Sequence, residues 1–237
     1  MSDYRKILFL DIETVTGFSD YQQLDTKWQE LWVAKSKFYA QQHIELTEAQ
    51  IYEDRAGIFA EFGKIVCISV GTLHNERIRL KSILGEESAI LQEFFELVNA
   101  HFNDPQKHGF CGHNIREFDL PYICRRAVIH QIPIPQILQL SGRKPWETTY
   151  VIDTLEMWKF GDMKNFTSLD LLAACLQLPS SKSDISGKDV SRVFWRENDI
   201  QRISKYCMSD VALTANVYLR LSGKNPIPAE KIEYVGL

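Results

Sequence analysis

Four carboxylates in three separated stretches are the side chains best placed by type and spacing to do chemistry. Asp11 and Glu13 lie in Leu8-Phe9-Leu10-Asp11-Ile12-Glu13-Thr14, Asp119 closes Gly112-His113-Asn114-Ile115-Arg116-Glu117-Phe118-Asp119, and Asp210 closes Tyr206-Cys207-Met208-Ser209-Asp210. The first pair follows the apolar run from Ile7 to Leu10, which is too short for a globular helix and reads as a buried strand. Alternate strand residues share a face, so the two carboxylates sit side by side with Cα atoms about 6.5 Å apart. Such a pair repels itself and raises its own pKa unless a cation lies between the charges. Oxygen-only ligands of this kind suit Mg²⁺ or Mn²⁺. Taken alone, each stretch has an ordinary explanation: a solvated strand end, a helix-start acid favoured by the helix dipole, and a phenol and carboxylate four residues apart on a helix.

The elements that must position these groups are legible in outline. Lys64 to Gly71 reads as a central strand, and the alternation Arg77-Ile78-Arg79-Leu80-Lys81 reads as an antiparallel strand with one solvated face. Arg77, Arg79 and Lys81 are the sort of charges that guard a sheet edge. Glu86 to Phe102 carries Ile90, Leu91, Phe94, Leu97 and Val98 at helical spacing. A short strand around Phe110-Cys111, a turn at Gly112 and Asn114, and a helix over 120–130 follow. A fifth strand is expected near Tyr150-Val151-Ile152, and a long helix over 197–221, on which Tyr206 and Asp210 point together. Asp153 with Glu156, and Thr167 with Asp170, stand at capping-box spacing. Asp153 has a second reading, as a carboxylate that braces the site from behind.

Together, the three stretches resemble the DEDD superfamily of 3′→5′ exonucleases. Asp11 and Glu13 match its first motif, Asn114 with Phe118-Asp119 its second, and Tyr206 with Asp210 its third. The tyrosine four residues before the last acid is similar to the DEDDy subclass; a DEDDh protein would carry histidine where this chain has Lys205. Asn114-X-X-X-Phe118-Asp119-Leu120-Pro121-Tyr122 most resembles the proofreading domain of B-family DNA polymerases, as do Val151 to Leu155 and Phe166 to Leu169. The resemblance implies a ribonuclease H-like α/β fold: a mixed five-stranded sheet flanked by helices. It also implies two-metal hydrolysis at a single-stranded DNA 3′ end, releasing nucleoside 5′-monophosphates. Asp11, Glu13, Asp119 and Asp210 would hold Mg²⁺ or Mn²⁺, Tyr206 would position the attacking water, and Thr14, Asn114 and Phe118 would meet the substrate. An RNA-trimming exonuclease and a catalytically silent docking module are the alternatives.

Residues 17–60 depart from that pattern, and 17–62 read as a helical insertion after the first strand. Leu24, Trp28, Leu31, Trp32, Phe38 and Tyr39 mark a face of its first helix, and Thr47 with Gln50 caps its second. That face either packs on the core or narrows access to the acids. The 237 residues, 45% apolar, fit one domain over 1–237 with a tail over 224–237 to which no function is assigned. No polymerase fits in the remainder, so any proofreading role would need a replication or repair partner. Net charge is −4 and pI about 5.9, which argues against broad duplex binding but not against a local phosphate track. Neither a secretory signal nor a membrane span is expected. Five cysteines without Cys-X-X-Cys spacing read as reduced core residues of a cytoplasmic protein, with Cys67, Cys111, Cys124 and Cys175 in apolar context.

Overall fold

Strand β1 (Ile7–Thr16) is buried along nearly its whole length, and its alternation sorts side chains between two cores. Leu8, Leu10 and Ile12 face a cluster built with helices α3 (Glu87–His101) and α4 (Asp119–Ile129). Ile7 and Phe9 face the opposite side, against Met208, Val211 and Ala215 of the long helix α8 (Ile200–Leu221). Asp11 and Glu13 continue that second series. The strand period therefore delivers both carboxylates to the face that α8 covers.

The computed structural model describes residues 6–179 and 184–235. Its sheet has six strands in the order β5-β4-β1-β2-β3-β6, where β2 is Gly63–His74, β3 Arg77–Leu84, β4 Gly109–Gly112, β5 Val151–Asp153 and β6 Ile232–Tyr234. β1 runs antiparallel to β2 and parallel to β4, and β4 runs parallel to β5. Three meandering strands followed by helix-linked parallel ones give an α/β sheet with helices on both faces. Gly71 lets α8 approach: a Cβ there would lie 2.8 Å from Val211 Cγ1 and 2.9 Å from Leu80 Cδ2. On the other face Glu87 is buried. It accepts hydrogen bonds from Ile65 N at 2.7 Å and Arg126 Nε at 2.8 Å, and contacts His130 Nε2 at 2.6 Å. Burial pushes its carboxyl up, but these donors outweigh it and hold it below the usual range.

Several expectations need correction. The sheet has six strands, not five, because the tail supplies β6. β6 pairs parallel with β3, so β3 is not an edge. Arg77 Nη1 and Arg79 Nε meet Glu233 at 2.6 and 3.4 Å, and Lys81 meets Glu93 at 2.8 Å, so this charged row is matched by acids. α8 begins at Ile200 instead of 197. A short helix α7 (Val190–Arg192) and a π-helix (Val193–Glu197) precede it, Asn198 breaks the chain at φ 52°, and Asp199 caps the new helix through Arg202 N. The cap of α6 (Leu169–Cys175) is Ser168, not Thr167. The stretch Ser180-Ser181-Lys182-Ser183, which reads from the sequence as a loop to which no function is assigned, and the last two residues of the tail lie outside the described residues.

The insertion forms helices α1 (Thr26–Gln42) and α2 (Glu48–Arg55), the latter with the expected Thr47/Gln50 capping box. Its aromatic face divides, however. Leu24 and Trp32 are buried in a small core with Ile51, Tyr52 and Phe62, while Trp28, Leu31 and Phe38 are substantially exposed. All five cysteines are free. Cys67, Cys111 and Cys207 are buried and Cys124 half-buried, but Cys175 is exposed, contrary to its apolar context in the sequence. Among the described residues, no helix is long and apolar enough to cross a membrane.

Candidate active site

The site forms where β1 outruns β4. Their ladder covers only Ile7 to Phe9 of β1, so further along on that side the strand backbone has no ladder partner from β4. Ile12 N finds the carboxylate of Asp119 instead, at 3.2 Å from Oδ1. This bond brings the N-terminus of α4 onto the strand between Asp11 and Glu13. On the other side β1 stays paired to β2, with Asp11 opposite Ser69 and Glu13 opposite Cys67. The register slips directly after Glu13, the kind of bulge that often re-aims side chains beside a site.

The loop that delivers Asp119 is held from several directions. Gly112 permits its first turn, since a Cβ there would lie 2.7 Å from Ile115 Cβ. Asn114 adopts φ 63°, a left-handed conformation that asparagine tolerates better than most residues. Asp153, at the end of β5, accepts from Asn114 N at 2.9 Å, Arg116 N at 3.1 Å and Leu155 N at 2.9 Å. It therefore caps α5 (Thr154–Lys159) as expected and also clamps the turn. Arg116 binds the Thr148 and Val151 carbonyls. His113 contacts Thr154 Oγ1 at 2.9 Å and Thr167 O at 2.8 Å. A carbonyl only accepts, so Nε2 carries the proton there, and burial holds the ring's pKa below its ordinary value.

α8 contributes the remaining groups. Tyr206 and Asp210, one helical turn apart, are hydrogen-bonded to each other, and both are half-buried. Cys207 points into the floor, its Sγ 3.3 Å from Asp11 Oδ2 and 3.4 Å from Asp11 O. Ligand atoms of Asp11, Glu13 and Cys207 all lie within 4.8 Å of one another. No sequence pattern marks this thiol, which looks like any apolar helix residue. Asp119 and Asp210 stand outside that tightest group but press on it electrostatically. Burial, then Asp119 and Asp210, push the Asp11 carboxyl well up, and burial, then Asp11 and Asp210, do the same to Glu13. Burial lifts Asp119 to about 7 against the pull of backbone N–H groups. Burial and the surrounding carboxylates hold the Tyr206 phenol far above its ordinary range.

Of the expected substrate contacts, Thr14 is hydrogen-bonded to Tyr122, whose hydroxyl also donates to Gly57 O at 2.8 Å. Phe118 is partly buried on the α3/α4 core, its ring 5.5 Å from that of Tyr122. Asn114 sits on the Asp153 clamp through its backbone. A cavity of about 770 Å³, lined by Ile7, His108, Arg143 and Tyr150 among others, contains none of the acids. A smaller cleft of about 250 Å³ borders Thr16, Glu53, Lys188, Arg192 and Trp195, where the insertion meets the π-helix.

A strand end and two helices bearing acids on a mixed sheet define the ribonuclease H-like class of fold. Among solved structures, the family B DNA polymerase from the hyperthermophilic archaeon Pyrobaculum calidifontis is similar, with a TM-score of 0.53 and 16% identity. The alignment covers 93% of this chain and 26% of that one, so the chain spans about a quarter of that polymerase and the likeness concerns the fold. A family model described as a predicted 3′-5′ exonuclease related to the exonuclease domain of PolB matches residues 58–225. The chain belongs to that family. Comparison with curated proteins finds no match.

Proposed function

We propose that this protein is a 3′→5′ exonuclease that releases nucleoside 5′-monophosphates from single-stranded DNA ends with two divalent cations, Mg²⁺ or Mn²⁺. The observation that carries the reading is the convergence of Asp11, Glu13, Asp119 and Asp210, whose carboxyls are buried or press on one another at the end of β1. Hard oxygen donors that repel each other fit divalent cations of this kind. Asp11, influenced by acids on both sides, would be shared between the two ions. Glu13 and Asp210 would hold the one beside the attacking water, and Asp119 the one beside the leaving 3′ oxygen. When bound, the ions would lower the pKa of water and neutralise charge building on the phosphate.

Tyr206 donates its proton to Asp210, which leaves the phenol oxygen free to accept a hydrogen bond from water. Its raised pKa makes it a positioning group and not a base. The water oxygen joins phosphorus, the bond to the 3′ oxygen of the preceding nucleotide breaks, and that oxygen takes up a proton. By the resemblance of their motifs, Thr14, Asn114 and Phe118 are the residues proposed to meet the terminal nucleotide. The test is incubation of labelled single-stranded DNA, duplex DNA and single-stranded RNA with Mg²⁺, Mn²⁺ or EDTA. Metal-dependent shortening, fastest on single-stranded DNA, is expected; faster shortening of RNA would reassign the substrate, and no shortening of any strand would refute the reading.

A further inference from the structure

Between α5 and α6 the chain runs Lys159-Phe160-Gly161-Asp162-Met163-Lys164-Asn165-Phe166 and exposes three large apolar side chains in seven residues. Phe160 is 86% exposed, Met163 87% and Phe166 68%. Single exposed apolar residues are common, but clusters of this kind mark interaction sites. The loop is built, not frayed. Phe160 adopts φ 45° and Gly161 φ 91°. Asp162 accepts from Lys164 N at 2.9 Å and from the Asn165 amide, while its own N–H bonds Lys159 O at 2.9 Å.

Its place in the fold says what it serves. The loop leaves from α5, which starts beside Asp153, and returns at Thr167, whose carbonyl accepts from His113 at 2.8 Å. His113 directly precedes Asn114 in the loop that delivers Asp119. Lys159 lies within electrostatic reach of Glu117 in that same loop. α5 has six residues, so the loop begins about 9 Å along the helix axis from Asp153, a span of two to three stacked nucleotides at about 3.4 Å each. Lys159 is paired with Glu156 at 2.8 Å, while Lys164 stands between Met163 and Phe166 in the chain, a cation beside flat apolar faces that suits a polymer alternating phosphates with flat bases.

We infer that Phe160, Met163 and Phe166 form a stacking platform for unpaired bases a few nucleotides upstream of the 3′ end, and so select single strands over duplex. The inference rests on the exonuclease reading and assigns that site its strand selectivity. Aromatic faces stack on any base, and bases locked in a duplex cannot reach them.

The experiment measures fluorescence anisotropy of labelled single-stranded and duplex oligonucleotides in EDTA, where no turnover occurs, with wild type and the Phe160→Ala/Phe166→Ala variant. Single-strand affinity should fall at least about tenfold, the order expected from losing one or two base stacks, while duplex affinity stays the same. The variant should melt like wild type because both rings are exposed, and Phe160→Trp should bind as well as wild type or better. Unchanged single-strand affinity, or equal losses for both substrates, would overturn the platform. Hydrolysis of the p-nitrophenyl ester of thymidine 5′-monophosphate, too short to reach the loop, separates the two readings. If wild type cleaves it and the loop variant binds strands normally, only the platform fails. If wild type cleaves neither ester nor strand while the variant loses strand binding, only the exonuclease reading fails.

Discussion

Replacing Asp119 by asparagine should stabilise the metal-free protein. The carboxyl is buried, 3% exposed, and its pKa rises from an ordinary 3.8 to about 7. Because the folded value lies above the unfolded one, the protonated group's contribution to stability is fully present below about pH 4 and lost as pH climbs to about 7. At about 1.4 kcal/mol per pH unit the loss by pH 8 is roughly 4 kcal/mol. Asparagine keeps an oxygen for the Ile12 N–H and carries no charge. In a chain of this size about 1 kcal/mol moves Tm by about 2–4 °C, so Asp119→Asn should melt roughly 8–16 °C above wild type at pH 8 in EDTA. The gap should close towards pH 4. Mn²⁺ at about 100 times its Kd should narrow the gap without closing it, since it adds about 2.7 kcal/mol to the state that binds it against the roughly 4 kcal/mol lead of the variant. Thermal melts by circular dichroism over this pH range, with and without metal, provide the assay. A variant that melts at or below wild type at pH 8 in EDTA, or a gap independent of pH, would refute the reasoning.

Tyr206→Phe removes one hydrogen bond to the attacking water, so kcat should fall about 10–100-fold with KM changed less than about twofold in steady-state hydrolysis. A larger change in KM than in kcat would instead assign the phenol to binding. Asp153→Ala leaves three backbone N–H groups without their acceptor. At about 1–3 kcal/mol each, it should cost at least about 3 kcal/mol in denaturant unfolding and slow hydrolysis as well; wild-type stability would mean the clamp contributes nothing. Replacing residues 20–55 by a short linker, with the Gly57 carbonyl that holds Tyr122 retained, should leave a folded protein that attacks duplex ends more readily. Unchanged strand preference would show that the insertion does not govern access.

The order of elements and the carboxylates of the candidate site were legible because their signals are local. An apolar run ending in Asp11-Ile12-Glu13, a Gly and Asn turn before Asp119, and a helical pair at Tyr206 and Asp210 each reflect backbone periodicity. What escaped notice depends on contacts between distant segments. Cys207 reaches Asp11 only because α8 crosses β1. Asp153 reads as a helix cap or a brace behind the site, but the backbone groups it holds, at 114 and 116, are within reach only because β5 lies beside β4. β6 has three residues, too few for a pattern, and its pairing is supported by Glu233 meeting Arg77 and Arg79. The insertion's first helix carries more apolar residues than its small core can cover, so periodicity overstated its buried face.

The most direct test follows a 5′-labelled single-stranded oligonucleotide with Mg²⁺ or Mn²⁺ and identifies the released product, comparing wild type with Asp210→Asn. Wild type should give a ladder shortening from the 3′ end and nucleoside 5′-monophosphates, and the variant, still folded by circular dichroism, should lose at least about a thousandfold in rate, as expected when a two-metal site loses a ligand. Internal cuts, 3′-monophosphate products, or an Asp210→Asn variant as fast as wild type would contradict the account.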